Sequence, residues 1–104
     1  MSLGFVVKEK NDEDLIRIEL SGEIDILTCQ ELKEKLYRVI DDYGKDLALD
    51  CRRLNYIDST GLGVFVAVLK RVKQIEREIR IENLKESTKK LFVITKLDTL
   101  FSIT

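Results

Sequence analysis

The chain has 104 residues and 44% hydrophobic side chains, enough for one compact domain over 1–104 and too few for two. Its 18 Lys+Arg against 19 Asp+Glu leave a net charge of −1, which argues against nucleic acid as a direct partner, because DNA binders carry a basic excess. It contains no His, so His triads, His general bases and His-containing zinc sites are excluded.

Phe5-Val6-Val7-Lys8 and Leu15-Ile16-Arg17-Ile18-Glu19-Leu20 are predicted strands. The second alternates, with Ile16, Ile18 and Leu20 on one face and Arg17 and Glu19 on the other. The polar run Asn11-Asp12-Glu13-Asp14 between them predicts a hairpin turn, and Ser21-Gly22-Glu23 is expected to end the second strand. A helix follows. Thr28 and Glu31 stand at capping-box spacing, and Leu32, Leu36, Val39, Ile40 and Tyr43 form a stripe of helical period. Gly44 supplies a left-handed stop.

Leu47-Ala48-Leu49-Asp50 predicts a short central strand. A second helix opens at Asp58-Ser59-Thr60-Gly61-Leu62-Gly63 and runs to about Ile75. Its first two turns are apolar nearly all round, so that end is expected to be buried or covered by a partner. Ile79-Arg80-Ile81-Glu82 is a fourth strand, and Asn83 with Glu86 makes a second capping-box pattern. It precedes a third helix with Leu84, Leu91, Phe92 and Thr95 on one side, and Phe101-Ser102-Ile103 closes the chain as a last strand. The order β-β-α-β-α-β-α-β predicts an α/β fold. It has a single mixed sheet, with a parallel core and an N-terminal antiparallel hairpin, packed with helices.

Cys29 and Cys51 are too few for a disulfide framework and predict buried or half-buried thiols in a reduced, cytoplasmic protein. The N-terminus lacks a basic stretch followed by a long apolar run, so no signal peptide is expected. The longest apolar stretch, Leu62 to Leu69, is less than half of the ~20 residues a membrane span needs, so no membrane partner is expected.

The chemistry concentrates in Asp58 to Gly63. A hydroxyl at a helix N-terminus lies beside backbone amides without intrahelical partners, where the dipole favours negative charge. A phosphate on Ser59 would find local support there, although the Asp58 carboxylate would repel it. Gly61 and Gly63 let another backbone approach closely. The plainer reading is that Asp58, Ser59 or Thr60 caps the helix, and the two readings are compatible. Enzyme motifs fail. Gly61-Leu62-Gly63-Val64-Phe65-Val66 has Val where a dinucleotide fingerprint needs its third Gly, and there is no phosphate-binding G-x-x-x-x-G-K-[ST] loop. The G-x-S-x-G elbow is also missing, and without His the serine has no ordinary base. No catalytic residue and no metal site are predicted.

Tyr56-Ile57-Asp58-Ser59-Thr60-Gly61-Leu62-Gly63-Val64 resembles the signature of bacterial anti-sigma-factor antagonists, the small single-domain members of the STAS family. Three stretches agree in position: Gly22-Glu23-Ile24-Asp25 followed by Thr28, the Leu49-Asp50 strand end, and Lys90-Leu91-Phe92-Val93-Ile94-Thr95-Lys96-Leu97. The resemblance implies a partner-switching protein. Unphosphorylated, it would bind an anti-sigma factor that is also a serine kinase, and so free a sigma factor. Phosphorylation of Ser59 would end binding, and a separate serine phosphatase would reset the switch. ATP and Mg²⁺ would belong to the kinase, so the chain needs no cofactor.

The resemblance also implies partner contacts by Asp58, Thr60, Gly61, Leu62 and Gly63. Glu23 and Asp25, read as turn residues, are either ordinary turn polarity or charges facing the partner. Leu91 is either core or an apolar anchor, and Thr60 is a second candidate acceptor. Lys96 departs from the pattern by standing where many relatives carry Gly, which for a left-handed residue costs on the order of 1 kcal/mol. The alternative function is a STAS docking module of a transporter or lipid-trafficking complex, which has no need of an acceptor serine.

Overall fold

The computed structural model describes residues 3–9 and 14–104. The elements are β1 (Leu3–Glu9), β2 (Leu15–Ile24), α1 (Cys29–Tyr43), β3 (Asp46–Ile57), α2 (Ser59–Gln74), β4 (Ile79–Glu82), α3 (Glu86–Ile94), a 3₁₀ turn (Leu97–Thr99) and β5 (Ser102–Ile103). Five strands form one sheet in the order β1-β2-β3-β4-β5, with β1 antiparallel to β2 and every other pair parallel. The predicted mixed sheet and element order are found; residues 11–13 of the predicted hairpin turn lie outside the described residues.

The register explains the two layers. Ile16 stands beside Leu47 and Leu47 beside Ile79, while Ile18, Leu49 and Ile81 form the next row. All six are buried and join Leu32, Leu36 and Ile40 of α1, Phe65 and Val68 of α2 and Phe92 of α3 in one core. Phe65, Phe92 and Phe101 close that core with ring centroids 5.8 to 6.4 Å apart, tying α2, α3 and the approach to β5 together. The opposite face carries Arg17, Glu19, Asp50, Arg80 and Glu82. There the Arg17 guanidinium reaches across the row of Ala48 to the Glu82 carboxylate, at 3.1 and 3.3 Å. Ala48 is fully buried under this charged layer, which is why the central strand is apolar without alternation.

Four local expectations are corrected. β2 does not stop at Ser21-Gly22-Glu23 but continues to Ile24, because Gly22, at φ 88°, absorbs an irregularity in the pairing with β3. β3 runs to Ile57 rather than Asp50. Beyond Cys51 its buried residues, Leu54 and Ile57, recur every third position, so two-residue alternation cannot reveal the extension. The Thr28–Glu31 capping box does not form; Glu31 pairs with Lys35 at 3.1 Å instead. Nor does Asn83 cap α3: it adopts φ 60° and donates to Asp50, and the extended Lys85 precedes the helix without a side-chain cap.

The left-handed stop at Gly44 is present, with its N–H donating to the Ile40 carbonyl at 3.0 Å. Lys96 is also left-handed, at φ 61°, the conformation for which Gly would be the usual choice. Cys51 is buried and Cys29 half-buried, both as free thiols. No helix among the described residues is long and apolar enough to cross a membrane.

Candidate functional site

The site lies where two chain segments leave neighbouring parallel strands. β2 and β3 finish side by side at Ile24 and Ile57, and the Asp58 N–H donates to the Ile24 carbonyl at 3.2 Å. The turn 25–28 and the start of α2 are thereby held next to each other on the C-terminal edge of the sheet. Gly61 is needed for this fit. A Cβ there would stand 2.6 Å from Ile57 and 2.7 Å from Ile24, so only glycine lets α2 settle on the two strand ends.

Asp58 is the N-cap of α2. Its carboxylate accepts from the Thr60 N–H at 3.0 Å, the Gly61 N–H at 3.2 Å and the Thr60 hydroxyl. The Thr60 hydroxyl and these two amides hold the Asp58 carboxyl below its usual range, against a weaker opposing effect of burial. Leu62 N–H closes the first turn on the Asp58 carbonyl at 3.0 Å. Three of the amides expected to support a phosphate at this helix start, those of Thr60, Gly61 and Leu62, are therefore already occupied.

Ser59, the first residue of α2, is exposed, and its hydroxyl has no hydrogen-bond partner among the described residues. The capping and acceptor readings thus separate onto different side chains: Asp58 caps, Thr60 is engaged by the cap, and Ser59 is free. Leu62 is 4% exposed and belongs to the core, as do Val64 and Phe65. Gly63 differs from Gly61. It is exposed inside the helix, and a Cβ there would meet nothing within 4 Å. Glycine costs about 1 kcal/mol relative to alanine in a helix interior, and here no internal contact requires it.

The neighbouring turn is built by Asp25 and Thr28. Asp25 Oδ1 accepts from the Leu27 N–H at 2.8 Å and the Thr28 N–H at 3.2 Å. The Thr28 hydroxyl accepts from the Asp25 N–H at 3.0 Å and donates to the Glu23 carbonyl at 2.9 Å. Asp25 is 5% exposed, so it is an internal organiser of the turn, and its Oδ2 is buried without a hydrogen-bond partner among the described residues. Glu23 is not a turn residue. It lies half-buried in β2, paired in register with Tyr56.

This turn presents two side chains that periodicity does not single out. Ile26 is 74% exposed and Leu27 76%, held out by the hydrogen bonds on either side of them. Their signal in the sequence is two consecutive large apolar residues between Asp25 and Thr28, outside any helix or strand. Glu23, Asp25, Asp58, Thr60, Gly61 and Ser59 thus come together at one edge. Leu91 belongs to a different element, α3, where it is half-buried against the core.

The STAS domain model matches residues 6–104. The chain is 39% identical over 97 residues to the anti-sigma-B factor antagonist of Bacillus subtilis strain 168, covering 93% of this chain and 88% of that protein. The fold is shared with a crystal structure of an anti-sigma factor antagonist from Mycobacterium paratuberculosis. That match has a TM-score of 0.82 at 22% identity, covering 98% of this chain and 85% of the other. It is also shared with the Bacillus cell fate determinant SpoIIAA in its phosphorylated form, with a TM-score of 0.70 at 20% identity over 97% of this chain and 91% of that one. Motif, sheet order and matched length agree: this chain belongs to the STAS domain family.

Proposed function

We propose that this chain is an anti-sigma factor antagonist, a cytoplasmic regulatory binding protein without catalytic activity of its own, and that Ser59 is its phosphoacceptor. In the unphosphorylated form it binds an anti-sigma factor that is also a serine kinase, and a sigma factor is released. The kinase then transfers phosphate to Ser59 and binding is lost, until a serine phosphatase removes it. The observation that carries this reading is the free, exposed Ser59 hydroxyl between two residues already committed to each other, Asp58 and Thr60. The names of the Bacillus subtilis and Staphylococcus aureus relatives, both anti-sigma-B factor antagonists, support the partner class.

The switch follows from electrostatics. A phosphate adds about −1.5 to −2 charges, taking the chain from −1 to about −3. Because Asp58 occupies the Thr60 and Gly61 amides, that charge has little local sink and stays on the surface beside a carboxylate. A partner covering Ser59 must desolvate it, and a cost of ~3–4 kcal/mol weakens binding roughly a hundred- to a thousandfold. Asp25 positions the turn that carries Ile26 and Leu27, which supply exposed apolar contact area next to the acceptor.

The test is intact-mass measurement after incubation with the anti-sigma-type serine kinase of the same organism, ATP and Mg²⁺. One phosphate is expected on the wild type and none on Ser59→Ala. A gain that survives Ser59→Ala removes the assignment.

A further inference from the structure

Gly63 is one turn beyond Ser59 on the same outward stripe of α2, which continues through Val66 and Lys70. Unlike Gly61, it answers no demand of the fold. Along this stripe runs a groove of about 340 Å³ between α1 and α2, lined by Tyr37, Gly63, Val66, Ala67, Lys70 and Arg71. Its aromatic wall is fixed. Arg71 stacks on the Tyr37 ring at 4.5 Å and is itself held by Asp41 at 2.7 Å, while Lys33 lies 5.6 Å from the same ring. Lys70 is exposed and has no ion pair among the described residues.

We propose that this groove is a docking channel for one helix of the kinase that modifies Ser59, with the backbone of that helix passing over Gly63. The inference rests on the assignment of Ser59 as acceptor. From Gly63 to Gln74 the channel spans about 16 Å, or three helical turns. A groove between two packed helices receives a third by ridge-into-groove packing, and closest where a residue lacks a side chain. Lys70, a lining cation without an ion pair among the described residues, fits a helix that is apolar on the side facing Val66 and Ala67 and bears a carboxylate opposite Lys70, whereas the Arg71 charge is already met by Asp41. The channel starts at Gly63, one helical turn beyond the acceptor, so its occupant would align the kinase active site with the Ser59 hydroxyl.

The proposal is tested with the wild type, Gly63→Ala, Gly63→Leu and Lys70→Glu. Thermal denaturation gives stability, and titration against the purified kinase with ADP and Mg²⁺ gives affinity. Gly63→Ala is expected to melt at or above the wild-type temperature, and a lower midpoint would overturn the reading of this glycine. Gly63→Leu and Lys70→Glu are each expected to bind at least tenfold more weakly while remaining folded. Lys70→Glu changes an exposed side chain and so separates docking from folding. If the wild type binds and both variants match it within twofold, the channel is refuted while the Ser59 assignment stands. A wild type that neither binds nor accepts phosphate overturns both.

Discussion

The Thr60 hydroxyl donates to the Asp58 carboxylate, and this one contact sorts the three consecutive polar residues at the start of α2. It makes Thr60 a poor acceptor and leaves Ser59 exposed and unengaged. Phosphorylation is therefore expected at Ser59 alone, with Thr60→Val modified at a rate within a few fold of wild type. Peptide mapping by mass spectrometry checks the position. Phosphate on Thr60 in the wild type would contradict the division of roles.

Gly61 and Gly63 are two residues apart and are expected to respond oppositely to alanine. At Gly61 the new Cβ would overlap Ile57 and Ile24 at the ends of β3 and β2, both buried, so neither neighbour can yield freely. Overpacking of this kind costs about 1–3 kcal/mol, more than the helix propensity gained. Urea denaturation of Gly61→Ala is expected to give a lower midpoint. Equal stability would mean that α2 can lift from the strand ends at no cost.

The layout was legible where one period dominated. Alternation in β2, the helical stripe of α1 and the Gly44 stop each reflect one burial face or one backbone demand, and each is found where expected, except that Tyr43 at the end of the stripe is exposed. The second half of β3 was not legible, because Arg52, Arg53, Asn55 and Tyr56 are exposed around Cys51, Leu54 and Ile57. Capping patterns misled twice for one physical reason. Thr28 and Asn83 carry capping side chains, but each is drawn into a contact outside its helix, Thr28 with Asp25 and Glu23 in the preceding turn and strand and Asn83 with Asp50 on the neighbouring strand. At the site, Asp58 and Ser59 could be named from local chemistry. The inward turn of Asp25 and the outward turn of Ile26 and Leu27 needed the fold, since both depend on where β2 ends.

Ile26 and Leu27 make little use of the core, so replacing both with Ser is expected to change stability by no more than about 0.5 kcal/mol. The same double variant is expected to lose at least tenfold in affinity for the kinase, by removing apolar area beside Ser59. Titration calorimetry and urea denaturation on the same preparation separate the two effects. Unchanged affinity would remove this pair from the interface.

The two thiols should differ in reactivity. Burial pushes the Cys51 thiol up to about 12, with the Asp50 and Glu82 charges adding to the effect, so it stays protonated at neutral pH. Cys29 is half-buried at the start of α1, with its Sγ 3.7 Å from the Ile26 carbonyl. Treatment of the native protein with N-ethylmaleimide is expected to give one adduct, on Cys29, and a second only after unfolding. Native labelling of Cys51 at a comparable rate would show that β3 opens readily.

Acid should weaken the α2 cap in a defined direction. The folded Asp58 carboxyl titrates below its unfolded value because the charged form accepts from the Thr60 hydroxyl and from the Gly61 and Thr60 amides. Its contribution is therefore complete above the ordinary carboxylate range, near about 3.9, and is lost as pH falls through the lowered folded value. Asp58→Ala removes the cap, which is typically worth about 1 kcal/mol. The stability gap between wild type and Asp58→Ala, measured by urea denaturation, is expected to be largest near neutral pH. It should shrink as the pH is taken below about 3.9, because the protonated carboxyl is a weaker acceptor for the same three donors. A gap that held constant into that acid range would mean that Asp58 caps α2 equally well without its charge.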